Sequence, residues 1–518
     1  MAVSDPILAN SRGTKGIRGG IMEILGNLGT ALAALLDWQT ILAMAVGVVL
    51  GILGGAMPGI SPSTAVALLV PFSYNLDPRL ALILLVSIYQ AANYGGAITA
   101  VLINTPGTPS TAATCFDGYP LTQQGKAGLA LGISLVGSCI GGIIAAIVLI
   151  LFCVPLARVA LKFSPAAYFG VAIFGLATVA SLGGGNVIKA IIAVLVGLLI
   201  ETIGLDPISG IYRFTFGSDL LYDGFALIPA LMGLFAVSAV FEQFAEWTGL
   251  DRRMEKIDNM LPSFKDLWSL KRVILQSSVI GTIIGIFPGA GGTIASFISY
   301  DTAKRTSKEP EKFGKGSLEG LAAPETADSA SVGGALIPLL ALGIPGSATD
   351  AVLIGAFMLH DIVPGPLLFK DHPAIVYGIF ASLLVANVLV FLIGLYGNRV
   401  FIKMICVKDA VLFPLILVVA LIGTYSVNSS LFDVGSCIGF GFLGWIFKRY
   451  GYPAAPVVLG IVLGKLIEYN FRRGLIMGGY SVFFTDKLAF FVLLLAMLSL
   501  FYPLIKAGLN RLRKGRQI

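Results

Sequence analysis

Apolar residues in this chain fall in long unbroken runs separated by short polar connections: 41–57, 80–103, 129–154, 168–182, 187–203, 225–240, 273–287, 375–396, 411–423, 437–447 and 488–502. Together with shorter segments beside several Pro-Gly pairs, the runs predict roughly a dozen helical elements at about 20 residues per span. The fold class expected is therefore an all-α polytopic membrane protein. No stretch reads as a separate soluble domain.

Two of the interruptions occur twice, in the same order. GAMPGISPSTA (55–65) is echoed by GIFPGAGGTIA (285–295), and GGAITAVLINTPGTPSTA (95–112) by GGALIPLLALGIPGSATDA (333–351). Pro58 and Pro288 are 230 positions apart and Pro106 and Pro345 are 239 apart, so the halves differ by a small insertion. That is the mark of an internal duplication. Paired interruptions at matching places in two halves of a membrane protein are the best sequence-level pointer to a transport site.

The run 273–287 is 15 residues, about 22 Å of helix, short of a hydrocarbon core of about 30 Å. It stops at Pro288-Gly289 and continues apolar into a connection as basic as the one before it, so both flanks fall on one face of the membrane. This predicts a re-entrant hairpin with PGAGG at its tip. The first-half equivalent runs from 41 to 57, turns at PGIS and returns to 74. If the stretch 21–36 spans from a cytoplasmic N-terminus, the two repeats are inverted. The second phrase of each pair reads as a discontinuous helix, 80–103 and 330–342 before the breaks.

Proline removes an amide donor and glycine permits angles other residues avoid, so each break exposes backbone groups at membrane depth. Such groups cost several kcal/mol each in lipid, and persist where protein, water or ligand satisfies them. Helix N-termini after the breaks suit a carboxylate without any cationic side chain. The preceding carbonyls suit Na+. The residues expected to bind solute are Pro58, Gly59, Ser61, Ser63, Thr64, Asn104, Thr105, Pro106, Gly107, Thr108, Pro288, Gly289, Gly291, Gly292, Thr293, Pro345, Gly346 and Ser347. Glycine and proline also serve packing and kinks in membrane helices; repetition in order, with hydroxylic residues kept, favours a site. Scarce intramembrane acids are candidates for a coupling ion: Glu325, Asp328 and Asp350, with Thr349 beside them. As helix-start residues, Asp328 and Asp350 read equally as caps.

Composition agrees with the pattern. Apolar residues make up 56% of the 518 and charged residues 12%, and the mean hydropathy is +0.90, outside the range of soluble domains. The net charge of +7 sits in short connections, where the positive-inside rule places it; nucleic acid is not implied. The five cysteines show no CxxC spacing and there are two histidines, so neither a disulfide framework nor a transition-metal site is expected. The expected organisation is residues 1–38 as a cytoplasmic N-terminus with a first interfacial or spanning helix, 39–240 as the first repeat, 241–272 as a cytoplasmic connection, 273–447 as the second repeat, and 448–518 as C-terminal helices with a basic cytoplasmic tail.

The phrases PGISPSTAVALLVPFSYNLDP (58–78), YGGAITAVLINTPGTPSTAATCFDGYPL (94–121), GIFPGAGGTIASFISYDTAKRTSKEPEKFGKGSLEGLAAPETADSAS (285–331) and GGALIPLLALGIPGSATDAVLIGAFMLHDIVPGPLLF (333–369) resemble the large membrane subunit of the tripartite tricarboxylate transporters. The resemblance extends over nearly the whole chain, including FDGYPLTQQGKAG. It implies a bacterial inner-membrane protein that works with a smaller four-helix membrane subunit and a periplasmic binding protein, importing citrate or other carboxylates on a sodium or proton gradient. No cofactor is expected. GAGGTI lacks the Lys-Ser/Thr of a phosphate-binding loop, and no HExxH or nucleophile-base arrangement appears, which leaves a stand-alone symporter as the alternative and an embedded enzyme as the distant one.

Overall fold

The computed structural model describes residues 17–57, 59–182, 186–206, 208–245, 260–289, 291–405 and 409–514. They are almost entirely helical; a short antiparallel ribbon pairs Gly204–Leu205 with Tyr212–Arg213. In chain order the helices are α1 (Ile17–Leu35), α2 (Trp38–Ala56), α3 (Pro62–Ser73), α4 (Pro78–Ile103), α5 (Cys115–Gln123), α6 (Ala127–Ala160), α7 (Pro165–Leu182), α8 (Val187–Glu201), α9 (Leu227–Met232) and α10 (Ser238–Ala245). A π-helical turn, Gly233–Val237, joins the last two. The second half contributes α11 (Phe264–Ile286), α12 (Gly291–Thr306), α13 (Leu318–Leu342), α14 (Ala348–Leu359), α15 (Leu368–Asp371), α16 (Pro373–Ile405), α17 (Asp409–Asn428), α18 (Leu431–Arg449), α19 (Ala454–Gly478), α20 (Val482–Thr485) and α21 (Lys487–Lys514). Among the described residues nine helices are long and apolar enough to cross a membrane. The chain is an all-α polytopic membrane protein.

The duplicated phrases fold alike. The hairpins α2–α3 and α11–α12 turn through a glycine in the left-handed region, Gly59 at φ +89° and Gly289 at φ +78°, a conformation that side chains disfavour. Both discontinuous helices end in a left-handed residue, Asn104 closing α4 and Gly343 closing α13. The chain then restarts from a hydroxylic cap: Thr108 opens a 3-10 turn (Pro109–Ala112), and Ser347 opens α14 by accepting the Asp350 amide at 3.2 Å. Pro58 lies outside the described residues.

Each hairpin's first arm packs on its discontinuous helix through glycines. A Cβ on Gly51 or Gly55 would sit 2.5 and 1.9 Å from the carbonyls of Ile88 and Ala92 in α4; one on Gly281 or Gly285 would sit 2.3 and 2.4 Å from those of Ala327 and Ser331 in α13. Close backbone approach of this kind replaces hydrophobic driving force inside a bilayer. The breaks dock the same way, Gly107 under the Gly55 carbonyl and Gly346 under that of Gly285. The repeats then interlock: α13 lies against α6 of the first half and α4 against α16 of the second, while α6 and α16 touch each other. Consequently α4 from Leu85 to Val101 and α13 from Gly320 to Ala341 are buried on all sides.

Two elements differ from the sequence expectation. Helix α11 begins at Phe264 rather than 273, because Ser263 and Asp266 form a capping box and Lys265, Lys271 and Arg272 stay on its exposed side. Its 23 residues make about 34 Å, so this arm is not short. Helix α13 begins at Leu318, capped by Ser317, rather than at 330. Glu325 and Asp328 therefore lie in its interior and cap nothing. At Asp350, in the first turn of α14, the cap is Ser347.

Candidate functional site

A cavity of about 370 Å³ lies where the interruptions meet, within the range of small-molecule pockets. Its wall is built from the starts of helical segments: Ser61, Pro62 and Ser63 at α3, Pro109 and Ser110 at the 3-10 turn, Gly291, Gly292, Thr293 and Ile294 at α12, Ser347, Ala348 and Thr349 at α14, and Ala455 and Pro456 at α19. Tyr89 and Asn93 of α4, Asp328 and Ser331 of α13, the tip residue Gly289, Val179 and Leu459 complete it. None of these is Lys, Arg or His. Asp328 is the one charged side chain among them.

Hydrogen bonds cross between the repeats at this wall. The Tyr89 and Ser347 hydroxyls are 2.9 Å apart, and the Ser110 hydroxyl donates to Asp328 Oδ2 at 2.8 Å. Within the second repeat, the Gly289 amide donates to the Gly346 carbonyl at 2.9 Å, tying hairpin tip to helix break. In the first, Ser61 Oγ lies 2.7 Å from Ser63 Oγ and 2.9 Å from Thr64 Oγ1, and Thr64 donates to the Phe235 carbonyl in the π-helical turn.

Of the residues singled out in the sequence, Ser61, Ser63, Gly289, Gly291, Gly292, Thr293, Asp328, Ser347 and Thr349 line the cavity. Thr64, Gly107, Thr108, Pro288, Pro345, Gly346, Glu325 and Asp350 are buried behind it. Asn104, Thr105 and Pro106 are exposed and face elsewhere, and Gly59 is exposed beside the Gln243 side chain. Tyr89, Asn93, Val179, Ser331, Ala455, Pro456 and Leu459 were not anticipated as site residues. Tyr89 and Asn93 sit one turn apart upstream of the break, a spacing that was readable; so was the match of Asn93 with Ser331 at the repeat interval. The prolines of YPAAP, which open α19, were a helix-start signal.

Behind the wall, Asp117 of α5 is fully buried, and its Oδ1 accepts the amides of Gly314, Gly316 and Ser317 at 2.9, 2.9 and 2.7 Å. Its Oδ2 accepts the Tyr300 hydroxyl at 2.9 Å. This carboxylate from FDGYPL thereby seats the start of α13 against α12 and α5. Among the described residues no cluster of His, Cys, Asp and Glu has the makings of a metal centre.

Discontinuous helices meeting at a shared small cavity inside a polytopic bundle are the architecture of a membrane transport protein. The model of the tripartite tricarboxylate transporter TctA family matches residues 41–459, and the chain belongs to that family, whose members are subunits of transporters and not enzymes. The chain is 39% identical over 471 residues, 90% of its length and 94% of the relative's, to an uncharacterised 52.8 kDa protein in the TAR-I ttuC′ 3′ region of Agrobacterium vitis. It is 42% identical over 211 residues, 40% of its length and 87% of the relative's, to an uncharacterised protein in the TAR-II ttuC′ 3′ region of the same organism. No solved structure matches the chain.

Proposed function

We propose that the cavity holds a small carboxylate, citrate or a related acid, and that the chain imports it across a bacterial inner membrane on a sodium or proton gradient. The observation that carries this reading is the convergence of α3, α12, α14, α19 and the 3-10 turn, all by their N-terminal ends, on one cavity without a cationic side chain. Helix N-termini present amides and partial positive charge, which bind an anion without fixing it as tightly as an arginine would. A transporter must release what it binds.

Asp328 supplies the argument for coupling. A carboxylate solute beside an ionised Asp328 is repelled unless a proton or cation enters with it. Asp350, fully buried in the first turn of α14, Thr349 at the wall and Glu325 one turn from Asp328 are the other members of the coupling set. In this reading the two repeats are inverted, and the breaks move together against a scaffold in elevator-like alternating access. A periplasmic binding protein delivers the solute and a small membrane subunit completes the complex.

Uptake of radiolabelled di- and tricarboxylates into proteoliposomes, with both partner proteins present, tests the site. Ser63→Ala and Thr293→Val should each raise the apparent KM about tenfold, the weight of one hydrogen bond to a charged group, with the protein still inserted. Unchanged KM in both variants would remove the cavity as the binding site.

A further inference from the structure

Glu325 is not part of the cavity wall. It lies in the middle of α13, one turn from Asp328, on the side that meets α6, and is 1% exposed. The Thr114 hydroxyl donates to its Oε1 and the Ser138 hydroxyl of α6 to its Oε2, the latter at 3.3 Å. A carboxylate accepts about four hydrogen bonds, so this one is half satisfied. The charged group acting on it is another acid, Asp328, and the neighbouring titratable side chain is Cys115. No lysine, arginine or histidine offsets it among the described residues.

The hydroxyls around Glu325 are also incomplete. Ser134, one turn before Ser138 on α6, is fully buried with its hydroxyl beside the Glu325 carboxyl, close enough to act on it but without a partner at good hydrogen-bond geometry. Thr326 Oγ1 and Ser329 Oγ, on the same two turns of α13, are buried and unpartnered too. Buried polar atoms are nearly always paired, and a buried carboxylate needs a partner charge or a proton. A half-satisfied acid with the Thr114, Ser134 and Ser138 hydroxyl oxygens around it makes the ligand set of a hard monovalent cation.

We infer that Glu325, Thr114, Ser134 and Ser138 form a binding site for a monovalent cation, Na+ or a proton, behind the solute cavity and distinct from it. Its connection to the cavity is Asp328, one helical turn away, which is bonded to Ser110 at the wall. A positive charge at Glu325 offsets Asp328 and so favours an anion in the cavity. This link to transport rests on the carboxylate reading above; the cation site itself does not.

The test is the thermal unfolding midpoint of the purified full chain without solute, titrated with NaCl against choline chloride at constant ionic strength, and over pH 5 to 8. If the ion is Na+, sodium raises the midpoint of the wild-type chain but not of Glu325→Gln. If it is a proton, sodium has no effect and the wild-type midpoint shifts with pH in a way Glu325→Gln abolishes. Ser134→Ala, which removes one hydroxyl beside Glu325 and keeps the Thr114 and Ser138 hydrogen bonds to it, should weaken the apparent cation affinity about tenfold while the chain stays folded, and covers the case in which Glu325→Gln does not assemble. Sodium and pH responses that are the same in wild type and Ser134→Ala, or in wild type and a folded Glu325→Gln, overturn the site. Direct binding of radiolabelled citrate to the same samples separates the two readings, since an empty cavity with an intact cation response removes the carboxylate proposal alone.

Discussion

Helices α4 and α13 are copies of one frame that carry different charge. Aligned at the repeat interval, SIYQAANYGG in α4 stands opposite ETADSASVGG in α13, so Ser87 corresponds to Glu325, Gln90 to Asp328 and Asn93 to Ser331. Both helices are buried on all sides, both receive a glycine-lined arm, and both end in a left-handed residue before a hydroxylic restart. Yet Gln90 donates its amide N–H to Asn387 of α16 at 2.9 Å, whereas the hydrogen bonds to Glu325 and Asp328 come from hydroxyls alone. The duplication supplied two scaffolds, and one of them carries the ionisable groups. Geometry at the breaks is shared; the buried acids Glu325 and Asp328 belong to one copy.

If the frame is common to both repeats, damaging it should be equally severe in either. Gly55→Val and Gly285→Val each place side-chain carbon against a carbonyl that the inserted Cβ would approach within 1.9 and 2.4 Å. Each should cost about 3 kcal/mol of stability through overpacking, read as loss of the monodisperse peak and a lowered thermal midpoint in detergent. Gly29, with nothing within 4 Å of an added Cβ, should tolerate alanine. A large loss in one repeat and none in the other would break the equivalence.

The difference in charge is tested by moving it. Gln90→Glu puts an acid in the first copy and removes the donor that satisfies Asn387, and should destabilise the chain by about 2 kcal/mol through an unpaired buried group. Asp328→Asn still accepts the Ser110 hydroxyl, so the fold should hold while uptake falls at least about tenfold, equivalent to about 1.4 kcal/mol. Wild-type uptake in Asp328→Asn, or an unaffected Gln90→Glu, would show that the two copies are not functionally distinct.

Much of this frame was legible in the sequence, because proline and glycine act through local backbone geometry and so announce the breaks wherever they occur. The order of the phrases gave the duplication, and the four interruptions do meet around one cavity. What was not legible depended on packing at a distance. The stretch 318–329, LEGLAAPETADS, is too polar to read as a buried helix, yet small residues let α6 and α11 close over it; the sequence therefore reads α13 as beginning at 330, with Asp328 equally a coupling acid or a cap. Asn104, Thr105 and Pro106 share a phrase with Ser110 but turn outward, since the left-handed residue at Asn104 redirects the chain. The contributions of α7 and α19 come from segments outside both repeated phrases, and nothing in the repetition pointed to them.

Asp206 sharpens the contrast from outside the bundle, because it is an acid to which the chain supplies its own cations. It sits in the connection between α8 and α9, accepts the amides of Ile208 and Ser209 at 2.9 and 3.2 Å, and meets Arg472 at 2.9 Å. Those bonds, the Ile208 amide foremost, hold its carboxyl well below the usual carboxylate range. A group whose folded value is depressed contributes stability that is complete above its unfolded value of about 4. That stability drains away as pH falls toward the folded value, so nothing about Asp206 changes between pH 5 and 8. Asp206→Asn should therefore leave the pH dependence of uptake in that window as it is in wild type, while speeding limited proteolysis at the ribbon that Asp206 ties to α19. A pH profile of uptake shifted by Asp206→Asn would place a working proton at this connection, and the proposed assignment of ion sensitivity to the acids of α13 and α14 would then be wrong.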